Sequence, residues 1–161
     1  MTSAAVVHNT FTLERSFPVA PERVFAALAD PARKRRWFAE GAAHDVLRFE
    51  MEFHSGGIER AEYRMKDGTA FAGVILEHEG TFLDIASGQR VVTASTMSFG
   101  GRRISAALVT FELIVNDRGT TLLCTHQAAY FEGADGPTIR EAGWRSLLDK
   151  LVAEVAQNAQ A

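Results

Sequence analysis

Near the C-terminus, Trp144, Leu147, Leu148, Leu151, Val152 and Val155 follow the spacing i, i+3, i+4, i+7, i+8, i+11. That spacing puts one continuous apolar stripe on a long helix, with Arg145, Asp149, Lys150 and Glu154 off the stripe. A helix of this kind needs an apolar surface to lie on, and the rest of the chain supplies one with a different period. Leu47, Phe49, Met51 and Phe53 alternate strictly with Arg48, Glu50 and Glu52, and Phe11, Leu13 and Phe17 alternate with Thr12, Glu14 and Ser16. Period two is the mark of a half-buried strand. The two periods together demand a sheet with one face covered by the terminal helix.

Turn residues divide the strand region. Ser55-Gly56-Gly57, Asp67-Gly68, Gly100-Gly101 and Asn116-Asp117-Arg118-Gly119 separate predicted strands at 47–53, 60–65, 90–99, 103–115 and 120–129. Strands at 71–78 and 81–86 are also predicted, alternatively as one long strand broken near Glu79-Gly80. Between the first strand and this meander, Pro21 opens one short helix, and Asp30-Pro31 caps and opens a second that carries Arg33–Arg36 and ends near Trp37-Phe38. Thr138 and Glu141 have capping-box spacing at the start of the long helix. The class is α+β: about seven antiparallel strands, strongly twisted, curling around the last helix. Residues 1–9 are expected to be a flexible arm and 10–158 a single domain, with no linker or repeat between.

Composition removes several functions. Lys+Arg 17 against Asp+Glu 20 gives a net charge of −3, unlike a chain that binds nucleic acid through bulk positive charge. One cysteine, Cys124, allows no internal disulfide and no cysteine-rich zinc site, and the five histidines show no metal spacing. No metal or cofactor is expected. The start MTSAAVVHNT lacks the basic and apolar regions of a secretory signal, and no apolar run reaches membrane-spanning length, so a cytoplasmic chain is expected. The Arg33–Arg36 run reads as a solvated helix face. Gly56-Gly57 and Gly100-Gly101 sit in no phosphate-binding pattern, and no nucleophile motif such as G-x-S-x-G occurs.

Several stretches taken in order carry a resemblance: FPVAPERVFAALADPARKRRWF (17–38), HSGGIERAEYRMKDG (54–68), RISAALVTFEL (103–113), GTTLLCTHQ (119–127) and GADGPTIREAGWRSLLDKL (133–151). Together they resemble the bacterial activator-of-heat-shock-protein-90-ATPase-like family, within the START/birch-pollen-allergen-like superfamily. The resemblance implies the helix-grip fold and a cavity between sheet and helix. Superfamily relatives bind lipids, plant hormones or polyketides there, and a few catalyse cyclisation or dehydration. The family name also implies a chaperone partner. Where many relatives carry an acidic residue in the strand before the last loop, this chain has His126.

Eleven phenylalanines, with two tryptophans and two tyrosines, can fill a core or line an apolar cavity. Strand parity turns Phe49, Met51, Met97, Phe99 and Phe111 inward, singly as core and collectively as a possible pocket lining. His126 shares the inward face of Leu122 and Cys124, as a ligand contact or proton donor on one reading and a satisfied core histidine on the other. Tyr63 brings a hydroxyl that needs a partner if buried. Trp37 reads as a gate at the cavity mouth or a plug against the sheet. Tyr130 shapes the entrance or packs the last loop, and Trp144 and Leu148 belong to the helix stripe, as core or as cavity wall. Cys124 is expected to be a buried, inert thiol. Three functions follow as expectations: non-catalytic binding of a small apolar molecule, a cyclase or dehydratase using His126 and Tyr63, and a chaperone-ATPase-regulating interaction module. A homodimer is left open.

Overall fold

The structure is a computed structural model in which residues 5–158 are described. Strand β1 (Val7–Phe17) leads into helix α1 (Pro21–Ala29), helix α2 (Pro31–Lys34) and one π turn (Arg35–Ala39). Strands β2 (His44–Met51), β3 (Ile58–Met65), β4 (Ile75–Ala86), β5 (Arg90–Phe99), β6 (Arg102–Asn116) and β7 (Gly119–Tyr130) follow, and helix α3 (Pro137–Gln157) ends the fold. The sheet order is β1-β7-β6-β5-β4-β3-β2, antiparallel throughout. The expected α+β helix-grip fold is therefore the one observed: a seven-stranded sheet, two short helices after the first strand, and a long terminal helix. No helix among the described residues is long and apolar enough to cross a membrane.

The core is lopsided. One large cluster joins Phe11, Leu13 and Phe17 of β1, Val24 and Leu28 of α1, Trp37, Phe82, Phe111, Leu122 and Cys124 to Leu148, Leu151 and Val155 of α3. A second, small cluster holds Ala39, Ala61 and Tyr63, with Val46, Phe49 and Leu76 against it. The C-terminal half of α3 thus rests on packed side chains, while its first turns lie over the region between the two clusters. That division positions the site.

Local chemistry corrects the sequence reading in several places. β1 starts at Val7, so residues 7–9 are not a loose arm: they pair with Ala128–Tyr130, and residues 1–4 lie outside the described residues. Glu79-Gly80 does not break a strand. β4 runs unbroken from Ile75, because Gly80 fits where an added Cβ would stand 3.1 Å from Thr93 Cγ2, and its irregularity falls later, between Phe82 and Asp84. A shift in register between Val46 and Arg48 turns Leu47 out to solvent and leaves Phe49 and Met51 facing in. At α3 no Thr138 capping box forms. Gly136, with φ 85°, takes the N-cap and Pro137 the first helical position. Asp30 does cap α2, its Oδ1 accepting from Ala32 and Arg33 N–H at 2.9 and 3.1 Å.

The basic run is the largest correction, for it is a solvated face only in part: the Arg35 and Arg36 side chains stay partly exposed while Arg33 and Lys34 turn inward. Arg33 and Arg36 close on Glu154 of α3 at 3.3 and 2.6 Å, and Lys34 is buried against Glu59. Glu154, expected off the stripe, is consequently buried, and Arg36, then Arg33, keep its carboxyl below the usual carboxylate range against the opposing effect of burial. These pairs tie α2 and the π turn to both the sheet and the helix.

Candidate functional site

Register explains why space remains under α3. On the inner face, Gly80, Ser95, Ala107 and Ala128 stand side by side across β4, β5, β6 and β7. The next row on one side is bulky, running Phe82, Thr93, Val109, His126 and Phe11. A row of small side chains beside a row of large ones leaves a trough that the helix bridges. Above it α3 contributes Gly143, where an added Cβ would meet nothing within 4 Å. The result is a cavity of about 340 Å³. Its apolar wall includes Phe38, Leu76, Met97, Val109, Ile139, Trp144 and Leu147.

Three sets of polar groups interrupt that wall. At one end Arg140 donates to both carboxylate oxygens of Asp135, at 2.8 and 2.7 Å, and to Ser105 Oγ at 3.1 Å. The bidentate pair locks the guanidinium in place, with Tyr130 under it at 5.1 Å. His126 is 1% exposed, stacked on Phe11 at 4.7 Å, and its Nδ1 has no hydrogen-bond partner. Burial, and then the positive charge of Arg140, push its pKa down to about 4, so the imidazole is neutral at neutral pH.

The third set is a buried chain of charge. Lys34 donates to Glu59 Oε2, and Glu59 Oε1 lies 3.1 Å from Nε2 of His78, which lines the cavity. The Lys34 ammonium also sits over Phe38, 4.8 Å from the ring centre, with Phe82 and Trp37 at 5.7 and 5.8 Å. Burial opposes the charge on Glu59, yet Lys34 and the His78 hydrogen bond hold its carboxyl well below the usual carboxylate range. Nearby Tyr63 keeps its proton, since burial and then the Glu59 charge push its hydroxyl well above its ordinary value. Cys124 is a buried thiol pushed up to about 12 by burial, which leaves it unreactive.

The structure separates the residues singled out by sequence. Tyr63, Met97, His126 and Trp144 meet at the cavity. Leu148, Trp37 and Phe111 lie in the large core cluster, and Met51 packs against it. Phe49 packs on the small cluster, and Phe99 meets Phe71 edge to face at 5.1 Å. Tyr130 is 2% exposed beneath Arg140, with its hydroxyl unpartnered, rather than at an open entrance. Trp37 is a plug: its indole N–H donates to Ala27 O at 2.8 Å, and its neighbour Phe38 is the aromatic that reaches the cavity. Sequence reasoning passed over His78, Ser105, Asp135 and Arg140. Extending the α3 stripe back by four from Trp144 reaches Arg140, and β4 parity through Leu76 reaches His78, so both signals were present.

This geometry has known counterparts. The family described as "Activator of Hsp90 ATPase homolog 1-like protein" matches residues 18–156. The chain belongs to that family. Mll3558 of Rhizobium loti is 38% identical, with TM-score 0.82 over 94% of this chain and 99% of that one. An uncharacterized protein of Rhizobium leguminosarum is 29% identical, with TM-score 0.87 over 94% and 97%. The AHSA1 protein of Silicibacter pomeroyi is 25% identical, with TM-score 0.73 over 93% and 99%. No curated protein matches the chain.

Proposed function

We propose that this family member binds a small, mainly apolar molecule carrying one or two polar groups, in the cavity between α3 and the sheet. The observation that carries the reading is the trough itself: about 340 Å³ of space beside a well-packed core, kept open by Ser95, Ala107 and Gly143. That volume suits a compact ligand, and a mostly apolar wall with a few fixed polar groups is the usual make-up of such sites. The Arg140–Asp135 pair is already neutralised, and His126 is neutral, so the polar contacts on offer are hydrogen bonds.

Displacement of a fluorescent fatty acid by small apolar compounds tests the reading, together with native mass spectrometry of the gently purified protein. Saturable displacement, or a retained mass, is expected; neither a retained mass nor any fluorescence change contradicts it. The family description favours a second reading, regulation of a heat-shock-protein-90 ATPase. Stimulated ATP hydrolysis by the cognate chaperone, undiminished when the cavity is filled by substitution, would favour that reading instead.

A further inference from the structure

His78 differs from His44 and His126, the other histidines on the cavity wall, in having a carboxylate behind it. Glu59 Oε1 lies 3.1 Å from Nε2, and Lys34 holds the other carboxylate oxygen. Glu59 is 2% exposed, so this carboxylate is held by protein rather than by water. An anionic acceptor at Nε2 fixes the tautomer with its proton there and leaves the lone pair on Nδ1 of a ring that faces the cavity. Phe38 packs against that ring edge to face at 5.4 Å, and Ala61, opposite on β3, offers only a methyl group.

Tyr63 completes the arrangement. It pairs with Leu76 while His78 pairs with Ala61, so Tyr63 and His78 are diagonal neighbours on the inner face, about 7–8 Å apart between backbones. Both line the cavity, so a protonated phenol and an oriented imidazole share the wall on which a carbonyl and its adjacent carbon would rest.

Resting on the binding reading above, we propose that His78 is a general base for an apolar carbon acid, a ketone or related carbonyl compound, bound in this cavity. His78 Nδ1 takes the proton from the carbon next to the carbonyl. The electrons of the broken C–H bond form the C=C of an enolate, and the carbonyl π electrons move to oxygen, which accepts a hydrogen bond from Tyr63. The imidazolium gains its counter-charge from Glu59 and returns a proton to carbon, either the one it took or one exchanged with solvent water, so no co-reactant is consumed. Glu59 and Lys34 are positioning residues: they touch no substrate, and Lys34 keeps Glu59 anionic. The other ionisable groups on this wall are His44 of β2, His126 of β7, Arg140 of α3 and Asp135.

The test is exchange of the α-protons of 2-tetralone for deuterium, followed by proton NMR with the full chain in D2O, with tetralone binding measured in parallel. The wild type should exchange them about 100-fold faster than His78→Gln, within the usual range for a positioned base, while His54→Gln, on an exposed turn away from the cavity, leaves the rate unchanged. Glu59→Gln should lower the rate without changing tetralone binding, and ¹⁵N spectra should show His78 losing its fixed Nε2–H tautomer. In the wild type alone, the pH profile of exchange should follow the NMR titration of His78, which serves if a variant fails to fold. Tetralone bound with exchange indifferent to His78, or a profile that follows another group, overturns this assignment and spares the binding reading. Failure of tetralone to bind overturns both.

Discussion

Ala107→Leu should make the protein more stable and a worse binder at the same time. Ala107 stands mid-floor in the cavity, with Ser95 and Ala128 as its cross-strand partners. The change adds three carbons to a strand position that already faces unfilled space. At about 0.8 kcal/mol per buried carbon the limit is about 2.4 kcal/mol, and a site partly open to water should return on the order of 1–2 kcal/mol. The same atoms occupy volume that a ligand needs, so affinity for a fluorescent fatty acid should fall at least about tenfold, or roughly 1.4 kcal/mol. Urea unfolding followed by tryptophan fluorescence measures the first effect, and titration with the probe measures the second. Overpacking a filled core costs about 1–3 kcal/mol. A destabilisation of that size would show that the trough is already full; stabilisation with unchanged affinity would show that the probe binds elsewhere.

Other consequences are equally open to measurement. His126 has its pKa pushed from 6.5 to about 4, so between those values the unfolded chain binds more protons than the folded one. Stability should be full above about pH 6.5 and fall as pH drops toward 4, by on the order of 2–3 kcal/mol, and His126→Gln should remove that part of the pH dependence. Lys34→Met should cost about 3–5 kcal/mol in urea unfolding, because it strands the buried Glu59 carboxylate. Adding Glu59→Gln should restore part of the loss; a single-variant cost below about 1 kcal/mol would refute the buried pair. Trp37→Phe gives up the hydrogen bond to Ala27 O and some packing, so it should cost about 1–3 kcal/mol while leaving probe affinity unchanged. A shifted affinity would return Trp37 to the cavity.

Much of the frame is legible in the chain because local patterns determine it. Two-residue alternation marks β7 so well that Leu122, Cys124, His126, Ala128 and Tyr130 all face inward as parity requires. Pro21 and Asp30 mark helix starts through backbone chemistry that any reader of the sequence can apply. What escapes is set by partners distant in the chain. Whether Lys34 is solvated or buried depends on Glu59, 25 residues away, and the fate of Arg33 and Arg36 depends on Glu154. Phe49, Phe99 and Phe111 do face inward, but parity gives the face of a residue and not its position along the strand, so it cannot separate core from cavity. The small row of Gly80, Ser95, Ala107 and Ala128 exists only once four strands are in register. Cavities are made by such rows, and a single strand carries one member of each.

The most direct test of a ligand site beneath α3 is a methyl NMR titration of methionine-labelled protein with decanoic acid. Met97 lines the cavity, whereas Met51 packs against the large core and Met65 ends β3 away from it. The Met97 methyl should shift saturably and show contacts to the bound chain, with Met51 and Met65 nearly still. A Met97 signal that stays fixed while the acid binds would place the ligand outside the cavity and contradict the account.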